Sequence, residues 1–114
     1  MTMDPDVATV LGCVPGFALR YRQLVAECDG DPGPAVVFEE LAELVAELVD
    51  QLEQAQPELT ACLAAVEAVA DGSDAAEELV GFSFLDTLSP AAVRRLRPLF
   101  GPATTAVLAG LPRL

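Results

Sequence analysis

The sequence predicts an all-α protein of about five helices in antiparallel hairpins, packed as a compact orthogonal bundle or a short HEAT-like solenoid. Apolar residues recur at helical spacing between breakers, and no stretch alternates apolar and polar residues as a half-buried strand would. Clusters of Gly and Pro leave loops of about two to six residues, so consecutive helices are expected to be neighbours. The chain has 114 residues, of which 53% are hydrophobic, and this is enough for one core.

The N-terminal region, residues 1–15, is predicted as a tail that can hold a short helix around residues 5–12. A single all-helical domain is predicted over residues 16–114. Its first helix is expected from Phe17 to about Cys28. The predicted core side of that helix consists of Phe17, Tyr21, Leu24 and Cys28. The Gly and Pro residues of "DGDPGP" (29–34) end it.

The second helix is predicted over about residues 35–55, because Pro34 can occupy a first turn, where its missing N–H is not needed. Its apolar stripe consists of Val37, Leu41, Leu44, Leu48 and Leu52, widened by Phe38, Val45 and Val49. By the same argument Pro57 is expected to open the third helix. The core face of the third helix consists of Leu59, Cys62, Leu63, Val66 and Val69.

The fourth helix, "AAEELVGFSFLDTL", is the most apolar one and is expected to be the central helix of the fold. Asp74 and Glu77 have the spacing of a capping box at its start. Its apolar positions are Val80, Phe82, Phe84, Leu85 and Leu88, which cover more than half of the circumference. Gly81 costs up to about 1 kcal/mol in a helix interior, so a neighbouring helix is expected to cross closely there.

The fifth helix is predicted to begin at once, because Ser89 is a good N-cap and Pro90 suits the first helical position. Val93, Leu96 and Phe100 are expected to point inward. Pro98 and Gly101-Pro102 should kink or split this helix near residue 100. A last helical piece, "ATTAVLAGL", is expected after the split.

Acidic and basic residues are distributed very unevenly along the chain. The net charge is -12, all six bases are Arg, and residues 23–93 contain every acid except Asp4 and Asp6 but no base. Nucleic acid and anionic membranes are therefore excluded as expected partners, and a basic protein is the natural complement. The second helix carries the longest acidic row, and its acids are the candidate partner-binding residues: Glu39, Glu40, Glu43, Glu47, Asp50 and Glu53.

The acidic row of the second helix destabilises an isolated helix by about 0.2 to 0.5 kcal/mol for each like-charged pair. Glu39, Glu43, Glu47 and Asp50 follow one another at intervals of four, four and three residues, so they share one face. Two interpretations remain open: a solvated outer face that keeps the protein soluble, or a docking surface that steers a basic partner.

The sequence offers no reaction chemistry. The absence of His excludes imidazole-based triads and His-containing zinc sites, and no motif fixes two carboxylates around a cleft. We therefore expect no enzyme activity, no cofactor and no metal. Asp29, Asp31 and Glu40 fall on the first, third and twelfth places of an EF-hand loop. Pro34 stands where that loop requires Gly, so a helix-ending turn is the preferred interpretation.

Several smaller features have structural interpretations at this level. The three cysteines, Cys13, Cys28 and Cys62, are predicted to be reduced thiols that act as small core residues. The basic cluster, Arg94, Arg95 and Arg97, is expected to pair with the protein's own carboxylates. Ser83, Asp86 and Thr87 form a polar stripe on the fourth helix, interpreted as a capped or partly exposed edge.

The sequence also predicts a location in the cell. It has no run of about 18 uncharged apolar residues, and its N-terminus is acidic ahead of a short apolar patch. A spanning helix and a secretory signal are therefore not supported. We expect a cytoplasmic protein.

Three stretches together resemble a family of small all-helical bacterial proteins of unassigned biochemical function, whose members look like immunity proteins for bacterial toxins. They are "PAVVFEELAELVAELV" (34–49), "AEELVGFSFLDTLSP" (76–90) and "LFGPATTAVL" (99–108), and the resemblance covers roughly residues 16–110. Relatives tend to carry Asn where this chain has Glu78 and Thr87. The matching positions are mainly core and breaker residues, and the resemblance transfers no catalytic or ligand residue.

Two functional hypotheses follow. The resemblance implies a non-catalytic immunity protein that occludes a basic toxin domain, and the acidic helical face is the surface that we expect to dock. The alternative is a helical adaptor or structural protein that binds a partner helix in an apolar groove, or a dimer that forms through the apolar fourth and fifth helices.

Overall fold

In a computed structural model, the chain is described over residues 3–111, apart from the side chains at positions 52, 53 and 55. This part is entirely helical and contains no strand, so the predicted all-α class is confirmed. The seven α-helices are α1 (Pro5–Cys13), α2 (Phe17–Cys28), α3 (Pro34–Val49), α4 (Leu52–Ala70), α5 (Asp74–Glu78), α6 (Pro90–Leu96) and α7 (Pro102–Ala109). A π-helix (Leu79–Phe84) and a 3-10 turn (Leu85–Thr87) continue α5, and a second 3-10 turn (Arg97–Leu99) follows α6.

The central element is α3 rather than the predicted fourth helix. It packs against α1, α2, α4, α6 and most extensively the π-helix. Its apolar face is fully enclosed, because eight of its residues are buried: Val37, Phe38, Leu41, Ala42, Leu44, Val45, Leu48 and Val49. The side chain at position 52, predicted for the same stripe, is outside the described set. The π-helix is also enclosed, since it packs against α3, α4 and α7.

The helices form one compact bundle. Sequential helices pack together at α1–α2, α2–α3 and α3–α4, as expected from the short loops. Helices distant in sequence also pack, notably α1 against α4 and α4 against α7, whereas a solenoid joins each repeat only to its neighbours. The Cα radius of gyration is 13.2 Å, close to the roughly 13 Å of a compact chain of about 100 residues.

The N-terminal segment belongs to the packed core. The short helix predicted around residues 5–12 is present as α1, and the side chain of Asp4 caps it by accepting hydrogen bonds from the N–H groups of Asp6 and Val7. Val7, Val10 and Val14 are buried, on the side where α1 meets α4.

The boundary between α3 and α4 differs from the prediction. Helix α3 ends at Val49 instead of about residue 55, and α4 begins at Leu52, so Pro57 lies inside α4 and does not open it. The turn at Asp50 and Gln51 contains neither Gly nor Pro. The apolar spacing also runs on through it, so neither breakers nor periodicity marked this turn.

The segment after α4 is capped one residue earlier than predicted. Ser73, not Asp74, is the N-cap, and its hydroxyl oxygen accepts from the Ala76 N–H at 3.1 Å. Phe82 was predicted to face the core but is 61% exposed, while Val80, Phe84, Leu85 and Leu88 are buried as expected. The close crossing predicted at Gly81 is confirmed, since a Cβ there would lie 3.2 Å from Leu111 and 3.3 Å from Val107.

The predicted fifth helix is confirmed in its start and its split. Ser89 caps α6 through a bond from the Ala92 N–H, and Pro90 is the first helical residue. Val93 and Leu96 are buried and Phe100 is half-buried. The chain leaves the helix after Leu99 and resumes it at Pro102 as α7. None of the helices described is long and apolar enough to cross a membrane.

Candidate partner-binding surface

The candidate acids lie along the outer side of α3 and at its C-terminal end. Glu39, Glu43, Glu47 and Asp50 are exposed, as their common spacing predicts, and Glu40 is half-buried toward α2. The side chain of the sixth candidate, Glu53, is outside the described residues. We call the five described acids the acidic face.

Arginine from another helix neutralises part of this face. Arg20 on α2 forms an ion pair with Glu40 at 2.7 Å and a second one with Glu47. The Arg20 side chain is only 23% exposed, and it lies between two acids seven residues apart on α3. This bridge joins α2 to α3, so Glu40 and Glu47 have a structural role that the sequence did not indicate.

A second, weaker ion pair ends the row. Arg95 on α6 lies 3.4 Å from Asp50, and both side chains are largely exposed. Exposed pairs of this kind contribute about 0 to 1 kcal/mol. Asp50 is therefore partly neutralised but only loosely held.

Glu39 and Glu43 are left as the open centre of the acidic face. Both are exposed, and neither has an ion pair or hydrogen bond with any described side chain. They are four residues apart, so they point the same way with nothing of opposite charge between them. Of the candidate acids whose side chains are described, these two are the ones available to an external cation.

The acids around Arg20 are in excess of its charge. Burial raises the pKa of Glu40 above its usual value, and Glu43 raises it further. Arg20 lowers the pKa of Glu40, while Glu27 and Glu47 raise it again. Even the acid that Arg20 holds at 2.7 Å is thus less easily ionised than in water. The region is a concentration of negative charge that the protein's own base does not cancel.

Glu67 on α4 is an acid that caps another helix of the bundle. Its Oε2 accepts from the Ala103 N–H at 2.8 Å, and its Oε1 accepts from the Thr104 N–H at 2.9 Å and the Thr104 hydroxyl at 2.8 Å. These groups form the first turn of α7, whose N-cap Gly101 has no side chain to do this. Sequence reasoning missed this cap. The signal for it was a predicted helix start at "GP" without a Ser, Thr, Asp or Asn.

These bonds determine the ionisation of Glu67. Partial burial raises its pKa, but the hydrogen bonds from the Thr104 N–H, the Ala103 N–H and the Thr104 hydroxyl favour the carboxylate and outweigh burial. The pKa of Glu67 is therefore below its usual value. It is an anionic cap and not a proton donor at neutral pH.

The basic cluster has one ion pair within the described part of the chain, which Arg95 forms. The expected internal pairing of Arg94 and Arg97 stays a prediction. Those two line a cleft of about 180 Å³ with Leu85, Val93 and Leu108. Arg94 is in the last turn of α6, where a cation is favoured by the helix dipole.

The predicted environment of the cysteines is correct only for Cys62. Cys62 is buried, and burial raises its pKa to about 12, so its thiol is inert at neutral pH. Cys13 and Cys28 are exposed. Both are last residues of helices, and the core side of α2 consists of buried Phe17 and Leu24 with half-buried Tyr21. In all three cysteines the thiols are free of disulfides.

The residues of the EF-hand-like spacing have other roles. Asp29 ends α2 in the left-handed conformation, and the Asp31 carboxylate accepts a hydrogen bond from the Gly33 N–H at 2.9 Å. Glu40 is held by Arg20. Within the described residues no group of three or more His, Cys, Asp or Glu side chains is arranged to hold a metal ion.

The polar stripe of the fourth helix is divided between core and surface. Ser83 is buried, whereas Asp86 and Thr87 are exposed. The Thr87 hydroxyl donates to the Ser83 carbonyl oxygen at 2.9 Å, which closes the last turn of the segment. The stripe is thus a capped, partly exposed edge, as interpreted from the sequence.

Comparison of the chain with protein-family models, with curated proteins and with solved structures gives no match. The resemblance to small bacterial immunity-like proteins therefore stays a prediction from the sequence. The candidate surface rests on its own geometry and charge.

Proposed function

We propose that this protein is a non-catalytic binding protein that docks on a basic protein domain through the acidic face of α3. The observation that carries the proposal is the pair Glu39 and Glu43, exposed and without a counter-charge among the described residues. An array of this kind attracts a basic surface over about a Debye length, roughly 8 Å at physiological salt.

The neighbouring acids support this assignment, because their proximity makes ionisation less favourable. Glu40 has a raised pKa because burial and the surrounding acids disfavour its charge, in spite of the ion pair with Arg20. If the acids served only to keep the protein soluble, the same number of charges spread over the surface would do so equally well. Concentration of acid on one helix face favours recognition, because it defines a direction of approach.

The kind of partner is proposed from the resemblance described above. A cytoplasmic immunity protein would act by occlusion, covering the active site or substrate path of a basic toxin domain. If that toxin acts on nucleic acid, the carboxylates of the acidic face would occupy the Arg and Lys residues that otherwise bind phosphates.

The test uses the protein that is encoded by the gene next to this one in the genome, the adjacent-gene product. That product is purified and immobilised, and its equilibrium affinity for the present protein is measured at low and at high salt. The proposal expects affinity to fall steeply as salt rises, because dissolved ions screen the attraction between the acidic face and a basic surface. Affinity that does not change with salt would contradict the electrostatic mode and favour the apolar-groove alternative.

A further inference from the structure

The most unusual surface residue is Phe82, which is 61% exposed although four of the other five residues of its π-helix are buried. Its neighbours Val80, Gly81, Ser83 and Phe84 are all buried. Large aromatic side chains tend to lie inside a fold or at an interface. At 61% exposure, most of the Phe82 side chain lies outside the core of the bundle.

An open groove of about 430 Å³ lies beside this ring. Gly81 and Val107 form part of its floor, where α7 crosses the π-helix. Asp74, Glu77 and Glu78 lie along the same groove. These three acids are exposed, and none of them makes an ion pair or side-chain hydrogen bond with another described residue.

The charge around the groove determines what can occupy it. A second copy of this chain is disfavoured, because a two-fold contact would bring two sets of three carboxylates together in a protein of net charge -12. An uncharged helix would leave those carboxylates beside an apolar surface without partners. A segment with an apolar side chain between Lys or Arg residues satisfies both the ring and the acids.

We propose that Phe82 and this groove bind an amphipathic, basic segment of a protein partner, with Phe82 as the apolar anchor and Asp74, Glu77 and Glu78 as its charged rim. The inference rests on the proposed function in one respect, that the partner is basic. It adds a second contact surface, where burial of apolar side chains stabilises a complex that electrostatic attraction brings together. Asp74 and Glu77 also favour the N-terminus of α5, but Phe82 has no such local role.

The test uses a synthetic helical peptide of about 14 residues with Leu and one Trp on one face and Lys on the other. This chain contains no Trp, so Trp fluorescence reports the peptide alone. We expect the peptide emission to shift to the blue on binding. Phe82→Ser should weaken binding by about tenfold or more, and the double variant Glu77→Lys/Glu78→Lys should weaken it by a similar factor.

Leu19→Ser is the matched control. Leu19 is on α2 and is 58% exposed, nearly the same as Phe82, so the variant removes a comparable exposed apolar side chain elsewhere. Binding of the peptide should be unchanged in this variant. Circular dichroism of all variants verifies that each is folded.

Four results would overturn the inference: no blue shift with the wild-type protein, equal affinity in Phe82→Ser, equal binding of a peptide with Glu in place of Lys, or a dimer in solution that Phe82→Ser abolishes.

The adjacent-gene product separates this inference from the proposed function. If Glu43→Lys weakens that complex while Phe82→Ser leaves it unchanged, the groove is not the second surface and the proposed function stands.

Discussion

Glu67 shows how much one acidic side chain can contribute to this fold. It accepts three hydrogen bonds from Ala103 and Thr104 and thereby replaces the missing side-chain cap at Gly101. A Cβ on Gly101 would lie 2.5 Å from the Glu67 Oε1, so a larger residue there would displace the carboxylate from its capping position. The acid content of the chain is therefore not all surface charge.

We predict that Glu67→Gln lowers the free energy of unfolding by about 1 to 2 kcal/mol at pH 7. Hydrogen bonds to charged groups contribute about 1.5 to 3 kcal/mol, and partial exposure to solvent reduces that. Urea unfolding measures the difference. Glu78→Gln is the control, because Glu78 is exposed, has no described partner and is not one of the first-turn acids of α5.

The effect of Glu67 should depend on pH with a definite sign. Its pKa is lowered in the folded protein, so its contribution is complete above the unfolded pKa, about 4.5, and is lost as pH falls through the lower folded value. The gap between wild type and Glu67→Gln should close in acid. A gap that is constant from pH 7 to pH 3 would contradict the anionic cap.

The three thiols should differ sharply in reactivity. Cys62 is buried with a pKa near 12, whereas Cys13 and Cys28 are exposed. Titration with a chromogenic disulfide reagent at neutral pH should detect two accessible thiols in the native protein and a third only after unfolding. Rapid reaction of all three would show that Cys62 is not enclosed. Cys62→Ala, which should leave the native count at two, identifies the slow thiol.

At the level of elements, local chemistry predicted most of the helix boundaries that carry marker residues and missed the one that carries none. Ser89-Pro90 predicted the start of α6 because both residues act within one turn. The turn after Val49 has no local marker, and α4 packs against α3 beyond it, so tertiary packing determines the break. Phe82 was misassigned for a similar reason. A helical wheel assumes regular turns, while residues 79–84 form a π-helix.

The packing of the π-helix on α7 gives an element-level prediction. A Cβ at Gly81 would be 3.2 Å from the Leu111 side chain and 3.3 Å from that of Val107. Gly81→Val adds two further carbon atoms at this crossing, and we expect it to lower the unfolding free energy by about 1 to 3 kcal/mol.

Gly12→Ala is the matched helical control for Gly81→Val. Gly12 lies in α1 with nothing within 4 Å of a Cβ, so this variant should gain up to about 1 kcal/mol from helix propensity. Thermal or urea unfolding compares the two. Equal stability of Gly81→Val and wild type would mean that the crossing is looser than described.

At the level of the whole molecule, charge placement has a stability cost that binding would explain. Glu43 lies four residues from both Glu39 and Glu47 and raises the pKa of Glu40. We predict that Glu43→Gln raises the free energy of unfolding by about 0.5 kcal/mol, because it removes several like-charge contacts. The same variant should weaken partner binding. A less stable Glu43→Gln protein would show that the row supports the fold.

The sequence predicted where the acidic face lies but not which of its acids are free to contact a partner. The spacing of residues 39–50 places them on one face without knowledge of the fold. Arg20 is 20 and 27 residues from Glu40 and Glu47, so only the packing of α2 on α3 brings them together. This pairing also changes the choice of test variants, since reversal of Glu47 would break an internal bridge as well as the surface.

The central claim is that the acidic face of α3 steers a basic partner. The most direct measurement is the association rate constant of the adjacent-gene product with Glu43→Lys and with Asp71→Lys, at low and at high salt. Both variants change the net charge from -12 to -10, and Asp71 is an exposed acid outside the acidic face. We predict that Glu43→Lys slows association several-fold more than Asp71→Lys at low salt and that the difference shrinks at high salt. Equal rate constants for the two variants at low salt would contradict the claim.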